Sequence, residues 1–149
     1  MNILVIGLSA AAIILLGLLG FLLWRRLRPR PLKTEYYQEK WLELQKLCRD
    51  KTQWAQAILN ADKLLDEALK KRRVRGSTMG ERLVKAQRLF TDNDSLWFAH
   101  KLRNKLDAEP GIKLKEKDVK QALMGSRQAL KDVGALPPSS KQTPAKEDA

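Results

Sequence analysis

Apolar and polar residues follow two different patterns along this chain, one at the N-terminus and another through the rest of the sequence. From Ile3 to Trp24 runs an uninterrupted stretch of 22 residues without a charged side chain. A helix of that length covers about 33 Å, slightly more than the roughly 30 Å hydrocarbon core of a bilayer. We therefore predict that residues 1–24 form a transmembrane anchor.

A cleaved signal peptide is the alternative interpretation of this segment. Signal peptides carry basic residues before a shorter apolar stretch and a small-residue cleavage site after it. Here no basic residue precedes the apolar stretch, and Trp24 is followed directly by Arg25 and Arg26. The pattern favours an uncleaved anchor. The positive-inside rule then predicts a single-pass protein of the cell membrane, with its N-terminus outside and its C-terminal domain in the cytoplasm.

Residues 25–34 form a basic juxtamembrane linker. Pro29 and Pro31 disfavour helix, so the membrane helix should end before them. Each basic side chain close to an anionic leaflet contributes about 1 kcal/mol of attraction. The linker cations are therefore candidate membrane-surface residues, with anionic lipid as the partner, or else determinants of topology alone. They are Arg25, Arg26, Arg28, Arg30 and Lys33.

Beyond the linker, apolar residues recur at helical spacing, and no alternating strand pattern is found. The pattern predicts an all-α fold in which residues 35–136 form a cytoplasmic bundle of about five helices. The helices are expected near residues 35–50, 53–73, 79–90, 95–108 and 115–133. About 100 ordered residues suffice for one small core. The tail, residues 137–149, is poor in apolar residues and is predicted to be disordered.

Apolar stripes along these helices predict which residues form the core. The first two stripes are Tyr37, Trp41, Leu44 and Cys48, followed by Trp54, Ile58, Ala61, Leu65 and Leu69. The third stripe is Met79, Leu83, Ala86, Leu89 and Phe90. The fourth is Leu96, Ala99, Leu102 and Leu106, and the fifth is Val119, Ala122, Leu123, Leu130 and Val133.

Capping signals mark where several of these helices should begin or end. Thr52 is predicted to cap the second helix, and residues 78–81 match a capping box for the third. The turn TDND is predicted to end in a cap, at Asp94, for a fourth helix that begins at Ser95. Gly134 is expected to follow the last helix in a Schellman-type ending.

Composition limits the chemistry of the chain. It carries 29 Lys and Arg against 17 Asp and Glu, a net charge of +12, which favours anionic partners such as nucleic acid or acidic lipid. Cys48 is the only cysteine and His100 the only histidine, so an intramolecular disulfide and a Cys/His zinc site are excluded. Because Cys48 lies on an apolar stripe, we interpret it as a packing residue. No cofactor or metal is indicated.

The second predicted helix ends in a basic run within residues 70–75. Cations at a helix C-terminus complement the negative end of the helix dipole. The run is also a candidate nucleic-acid-binding patch, although no aromatic residue is interleaved for stacking on bases. Its basic residues are Lys70, Lys71, Arg72, Arg73 and Arg75.

The fourth predicted helix carries the polar residues best suited to binding or catalysis. They are His100, Arg103 and Asn104, beside its apolar stripe. Arginine supplies a bidentate fork, asparagine a neutral donor, and histidine a general acid or base. The three are therefore candidate anion- or nucleic-acid-binding residues. The alternative is a structural role in which His100 packs and Arg103 pairs with Asp62 or Asp66, which lie off the apolar stripe of the second helix.

The sequence AHKLRNKLDAEP, preceded by AILNADKLLDEALKK, resembles the HEPN proteins. The resemblance implies a small all-α domain, usually dimeric, that acts as a ribonuclease or as a nucleotide-binding module. The motif of that family is an arginine, often followed by asparagine, then three residues and a histidine. Arg103 and Asn104 match its first two positions, but the histidine position is occupied by Ala108.

The replacement at Ala108 bears on enzymatic activity. In-line RNA cleavage requires a group that moves a proton at neutral pH, and alanine has none. His100 lies eight residues earlier, about 12 Å along the helix axis, too far to take over directly. We therefore expect a catalytically inactive interaction module that holds a protein partner or a second copy of itself. The alternative is a degenerate HEPN-like domain that binds RNA or a nucleotide.

Overall fold

A computed structural model describes residues 3–138 of the chain, with side chains described from residue 7 onward. The chain divides into two compact units, Met1–Arg30 and Pro31–Ala149. Most of the described residues are helical, and none of residues 3–138 lies in a β-strand, so the prediction of an all-α fold is confirmed. Most of the tail predicted to be disordered, from residue 139 onward, lies outside the described residues.

The first unit consists of a single helix, α1 (Ile3–Leu27), which ends before Pro29 as predicted. Its segment Gly7–Leu27 has a mean hydropathy of 2.3, and none of that segment is buried within the protein. By length and composition, α1 is therefore able to cross a membrane. Arg25 and Arg26, assigned to the linker from the sequence, lie instead in the last turn of α1, because nothing before Pro29 interrupts the helix.

The second unit is a bundle of five helices: α2 (Thr34–Leu47), α3 (Trp54–Lys71), α4 (Met79–Ala86), α5 (Asn93–Ala108) and α6 (Glu116–Asp132). Helix α3 is central and contacts the other four. Helices α5 and α6 pack closely, because α6 has a glycine where they meet. A Cβ atom added at Gly125 would lie 2.5 Å from the carbonyl carbon of Ser95.

The predicted stripes supply most of the core. Tyr37, Leu65, Leu69, Leu83 and Leu130 are among the residues almost completely buried. Helices α2 to α5 and the end of α6 surround a larger apolar cluster, and a smaller cluster joins α3, α5 and α6.

Six residues of the stripes depart from the prediction, and three of them, Cys48, Met79 and Leu123, are only partly buried against the core clusters. Leu89 is exposed and Leu102 is only half-buried. Trp54 is also half-buried, and its indole N–H donates to the carbonyl oxygen of Cys48 at 3.0 Å. Leu89 departs because the third helix is shorter than the apolar pattern indicated. The α-helix ends at Ala86, and a 3-10 turn over Gln87–Leu89 turns Leu89 outward.

Two of the predicted caps are wrong because an aspartate lies two residues earlier in each case. Asp50, not Thr52, accepts from the backbone of a 3-10 turn (Lys51–Gln53) that precedes α3. Asp92, not Asp94, caps α5, since its carboxylate accepts from the Ser95 backbone N–H at 3.0 Å.

The other two predicted caps are present. Thr78 Oγ1 accepts from the Glu81 backbone N–H at 3.2 Å, as in a capping box. In a capping box the Glu81 carboxylate would accept from the Thr78 backbone N–H. Here it accepts from the Ser77 backbone N–H instead, at 2.7 Å. Gly134, with φ 79°, closes α6 in the expected Schellman motif: its N–H donates to Lys131 and that of Ala135 donates to Leu130.

Candidate polar groove

A polar groove of about 660 Å³ lies among α3, the loop leading into α4, α4 itself and α5. The sequence-predicted trio of His100, Arg103 and Asn104 lines it from α5. Asp62 and Asp66 line it from α3, because their spacing of four residues places both on one face of that helix. Arg82 lines the groove from α4.

His100 and Asp62 form a buried pair inside the groove. Asp62 is 9% exposed and His100 is 8% exposed, and Asp62 Oδ1 lies 2.8 Å from His100 Nδ1. A carboxylate only accepts hydrogen bonds, so the ring carries a proton on Nδ1 and donates it. The imidazole packs against Trp97 in a T-shaped arrangement, with ring centroids 5.9 Å apart. The pair therefore fixes the orientation of the imidazole.

Asp66 and Arg82 form a second pair next to it. Arg82 Nε and Nη2 both lie 2.6 Å from Asp66 Oδ1, and Nη1 donates to the carbonyl oxygen of Gly76. Lys70 adds a contact of 2.6 Å to the other carboxylate oxygen of Asp66. Arg82 is only 5% exposed, so its guanidinium is committed to the fold.

Arg103 lies at the edge of the groove, with its side chain 35% exposed. Its Nε lies 3.6 Å from Asp62 Oδ2, and its Nη1 lies 3.3 Å from Asp107 Oδ2. The same Nη1 donates to Asn104 Oδ1 at 3.1 Å. Of the two carboxylates proposed as partners for Arg103, Asp62 is therefore the one it contacts, since Asp66 pairs with Arg82.

The sequence interpretation missed Asp62, Asp66 and Arg82 as members of one site. Two aspartates four residues apart on a helix were the available signal, because that spacing places both carboxylates on one face. Arg82 gave no comparable signal, since it lies beside Leu83 in a helix interpreted only through its apolar stripe. Ala108, which stands where the HEPN motif has histidine, is exposed and does not line the groove.

The charges in the groove balance. The carboxylates that line it are Asp62, Asp66 and Asp107, and the permanent cations are Lys63, Arg82 and Arg103. A nucleic acid binds where unpaired cations can neutralise its phosphates. Here two of the three cations already have carboxylate partners. Among the described residues no group of His, Cys, Asp and Glu side chains is arranged to hold a metal ion.

None of the five cations of the basic run, residues 70–75, lines the groove, and only Lys70 contacts one of the groove's carboxylates. Lys70 and Lys71 pair with carboxylates one turn earlier in α3, Asp66 and Glu67, at 2.6 and 2.9 Å. The hydrogen bond to Glu67 raises the pKa of Lys71 above its ordinary value. The side chains of Arg72, Arg73 and Arg75 make no ion pair with the described part of the chain.

The linker cations divide between the two units. Arg25, Arg26, Arg28 and Arg30 belong to the first, where the Arg28 guanidinium lies 4.0 Å from the ring centroid of Trp24. Lys33 is exposed and directly precedes α2. Cys48 packs partly buried against the core, and burial raises the pKa of its thiol, as suits a packing residue.

Comparison with known proteins adds no identification: no family model, curated protein or solved structure matches this chain.

Proposed function

We propose that the chain is a single-pass membrane protein whose helical bundle lies on the cytoplasmic side and acts as a non-catalytic binding module. In this proposal the polar groove receives a segment of a partner protein. The single observation that carries the proposal is the pairing inside the groove. His100, Arg82 and Arg103 are each held by a carboxylate of α3, so they form a rigid polar wall.

Membrane anchoring is supported by α1, which is apolar, long enough to cross a bilayer and unburied within the protein. The orientation is supported by the basic residues at its C-terminal end, Arg25, Arg26 and Arg28. The partner is proposed to be a protein because a groove of balanced charge and amide side chains, such as Asn60 and Asn104, suits peptide groups better than phosphates.

Alkaline carbonate extraction and a reporter fused after Ala149 test the anchor. We expect the chain to remain with the membrane in carbonate, and the reporter to be inaccessible to protease added outside intact cells. Moving the basic residues of positions 25–33 in front of the apolar stretch should weaken or invert the orientation. Release by carbonate, or a reporter that external protease digests, would contradict the proposal.

A photocrosslinking amino acid at Asn104 tests the groove, with the same group at Lys101 as the matched control. Both positions are exposed on α5, but only Asn104 lines the groove. We expect one defined polypeptide to be crosslinked from Asn104, identified by mass spectrometry, and lost when Asn60→Trp fills the groove. Equal crosslinking from Lys101, or crosslinking that Asn60→Trp leaves unchanged, would contradict a groove-bound partner.

The second candidate is the HEPN-like binding of RNA or a nucleotide. The observation that favours it is that Arg103 and Asn104, the two residues matching the motif, line the groove together with His100. The test is binding of single-stranded RNA by the full chain over a salt series. Binding whose salt slope falls by about one unit in Arg103→Ala would favour this candidate over the protein-binding module.

A further inference from the structure

The basic run and the first residues of the second unit lie at the same end of the bundle. Tyr36, in the first turn of α2, donates to Glu67 of α3 at 3.3 Å. Lys71 Nζ lies 4.9 Å from the ring centroid of Tyr36. Leu32 and Val74 pack against the same apolar cluster. The start of α2 and the end of α3 therefore lie side by side.

This end presents cations that the fold does not use. Lys70 and Lys71 are paired within α3, but Arg72, Arg73, Arg75 and Lys33 make no ion pair within residues 3–138. Arg75 and Lys33 are exposed, and Arg72 and Arg73 are half-buried. We call these four residues the basic end.

Arg73 occupies a backbone position that glycine adopts more easily. It has φ 61°, its N–H donates to Lys70, and the N–H of Val74 donates to Leu69. These are the bonds of a Schellman motif, and the same motif ends α6 with Gly134 at the equivalent position. An L-residue with a side chain is strained there. The chain therefore holds an arginine at a position where its own α6 has glycine.

A short linker joins α1 to α2. Six residues separate Leu27 from Thr34, and a fully extended chain of that length spans at most about 25 Å. Lys33 lies within this segment, and Arg72 and Arg73 follow the helix that is paired with the start of α2. A surface reached by α1 is thus also within reach of the basic end.

We infer that the basic end docks on the headgroups of anionic lipids in the leaflet where α1 emerges. The inference rests on the proposed membrane anchoring. Membrane lipid fits better than nucleic acid because neither tyrosine at this end is free to stack on bases: Tyr36 is covered by Lys71, and Tyr37 is buried. The basic end also includes Lys33, which is itself one of the linker cations.

Fluorescence energy transfer in nanodiscs tests the docking, using the full chain. In a Cys48→Ser background, a donor at Ser77→Cys lies directly after the basic end, and a donor at Gln53→Cys lies at the opposite end of α3. Acceptors are attached to lipid headgroups. We expect transfer from position 77 to rise when phosphatidylserine is added to phosphatidylcholine, and transfer from position 53 not to rise.

Two neutralised variants give the matched comparison. Arg72→Gln, Arg73→Gln and Arg75→Gln remove three cations of the basic end. Lys113→Gln, Lys115→Gln and Lys117→Gln remove three at the other end, where Ile112 and Leu114 pack near Trp54. Each cation near an anionic leaflet favours docking about fivefold, so the first variant should reduce the ratio of docked to undocked protein on the order of a hundredfold. The second should leave it unchanged.

The single variant Arg73→Gly separates an effect on lipid docking from an effect on folding stability. Because glycine relieves the strained backbone, the thermal midpoint of the bundle should rise by a few degrees while docking weakens about fivefold. If Arg73 served only the fold, replacing it with glycine would raise stability and leave docking unchanged. A rise in stability with unchanged docking would therefore overturn the inference.

Two further outcomes have defined meanings. If carbonate releases the chain from membranes, the proposed anchoring fails, and the docking inference fails with it. If the chain stays inserted but phosphatidylserine does not raise transfer from position 77, only the inference is overturned. Binding of polyuridylate to neutral nanodiscs, lost in the Arg72, Arg73 and Arg75 variant, would also overturn it by assigning the basic end to nucleic acid.

Discussion

Asp62 of α3 and His100 of α5 lie 38 residues apart in sequence, yet Oδ1 of the carboxylate and Nδ1 of the imidazole are 2.8 Å apart, and both side chains are buried. The pair joins the central helix to the helix that carries the candidate site. It gives His100, the only histidine in the chain, a fixed orientation.

We predict that this pair contributes to folding stability through direct coupling. In a double-mutant cycle of Asp62→Ala and His100→Ala, the coupling free energy should be about 1.5–3 kcal/mol, because the hydrogen bond involves a charged, buried acceptor. Urea denaturation of the four proteins measures it. Lys101→Ala, on the exposed side of the same helix, should change stability by less than about 0.5 kcal/mol. A coupling near zero would contradict the pairing.

The two arginines of the groove should differ in their effect on stability. Arg82 is 5% exposed and its removal leaves Asp66 without its buried partner, so Arg82→Ala should cost about 3–5 kcal/mol. Arg103 is 35% exposed, and solvent screens its pairs, so Arg103→Ala should cost about 1 kcal/mol or less. Equal losses measured by urea denaturation would show that Arg103 is more committed to the fold than its exposure indicates.

The contrast between these residues shows what the sequence predicts and what it does not. Capping by Thr78 and the glycine ending at Gly134 were predictable, because each depends on residues within one helical turn. The Asp62–His100 pair depends on which faces of α3 and α5 meet, and periodicity does not specify that. Polar residues off an apolar stripe are usually solvated, so Asp62 was not identified as a buried residue.

The wrong caps have a related cause. Aspartate, asparagine and threonine all accept from backbone N–H groups, and the sequences of residues 50–52 and 92–94 each offer more than one candidate. The first aspartate is used in both cases: Asp50 caps a 3-10 turn that precedes α3, and Asp92 caps an α5 that begins at Asn93. Periodicity therefore identified the helices, but it placed the start of α3 one residue early and the start of α5 two residues late.

Gly125 should be essential for the packing of α6 on α5. In Gly125→Ala the new Cβ would lie 2.5 Å from the carbonyl carbon of Ser95, so the two helices must separate. We expect a loss of about 1–3 kcal/mol, as for other overpacked sites. Gly111→Ala is the matched control, because no atom lies within 4 Å of a Cβ at that position. A Gly125→Ala variant as stable as wild type would contradict this close approach.

The cap of α5 should make stability depend on acid pH. The hydrogen bond from the Ser95 backbone lowers the pKa of Asp92 below its ordinary value of 3.8. A carboxyl whose pKa is lower in the folded state stabilises the fold above the unfolded pKa, and this contribution is lost as the pH falls through the folded pKa. The affected range therefore lies below about pH 4.

Two variants of Asp92 test this dependence. Asp92→Ala removes the cap and should cost about 1 kcal/mol at neutral pH. Asp92→Asn keeps an acceptor but no longer titrates, so its stability should stay within about 0.5 kcal/mol at neutral pH and fall less steeply than wild type below about pH 4. Urea midpoints over a pH series measure both effects. An asparagine variant with the same acid dependence as wild type would assign that dependence to other carboxylates.

The wild-type chain should not cleave RNA. Its histidine is paired with Asp62 inside the groove, and the position where the resembling family has histidine is Ala108, which is exposed outside the groove. A fluorogenic RNA assay measures cleavage, with His100→Ala as the control for any activity found. Cleavage by the wild type that is lost in His100→Ala would contradict a non-catalytic module. Cleavage that appears in Ala108→His, and disappears when Arg103→Ala is added, would instead support descent from a HEPN-like nuclease, because both residues of the Arg-x4-His motif would then be required.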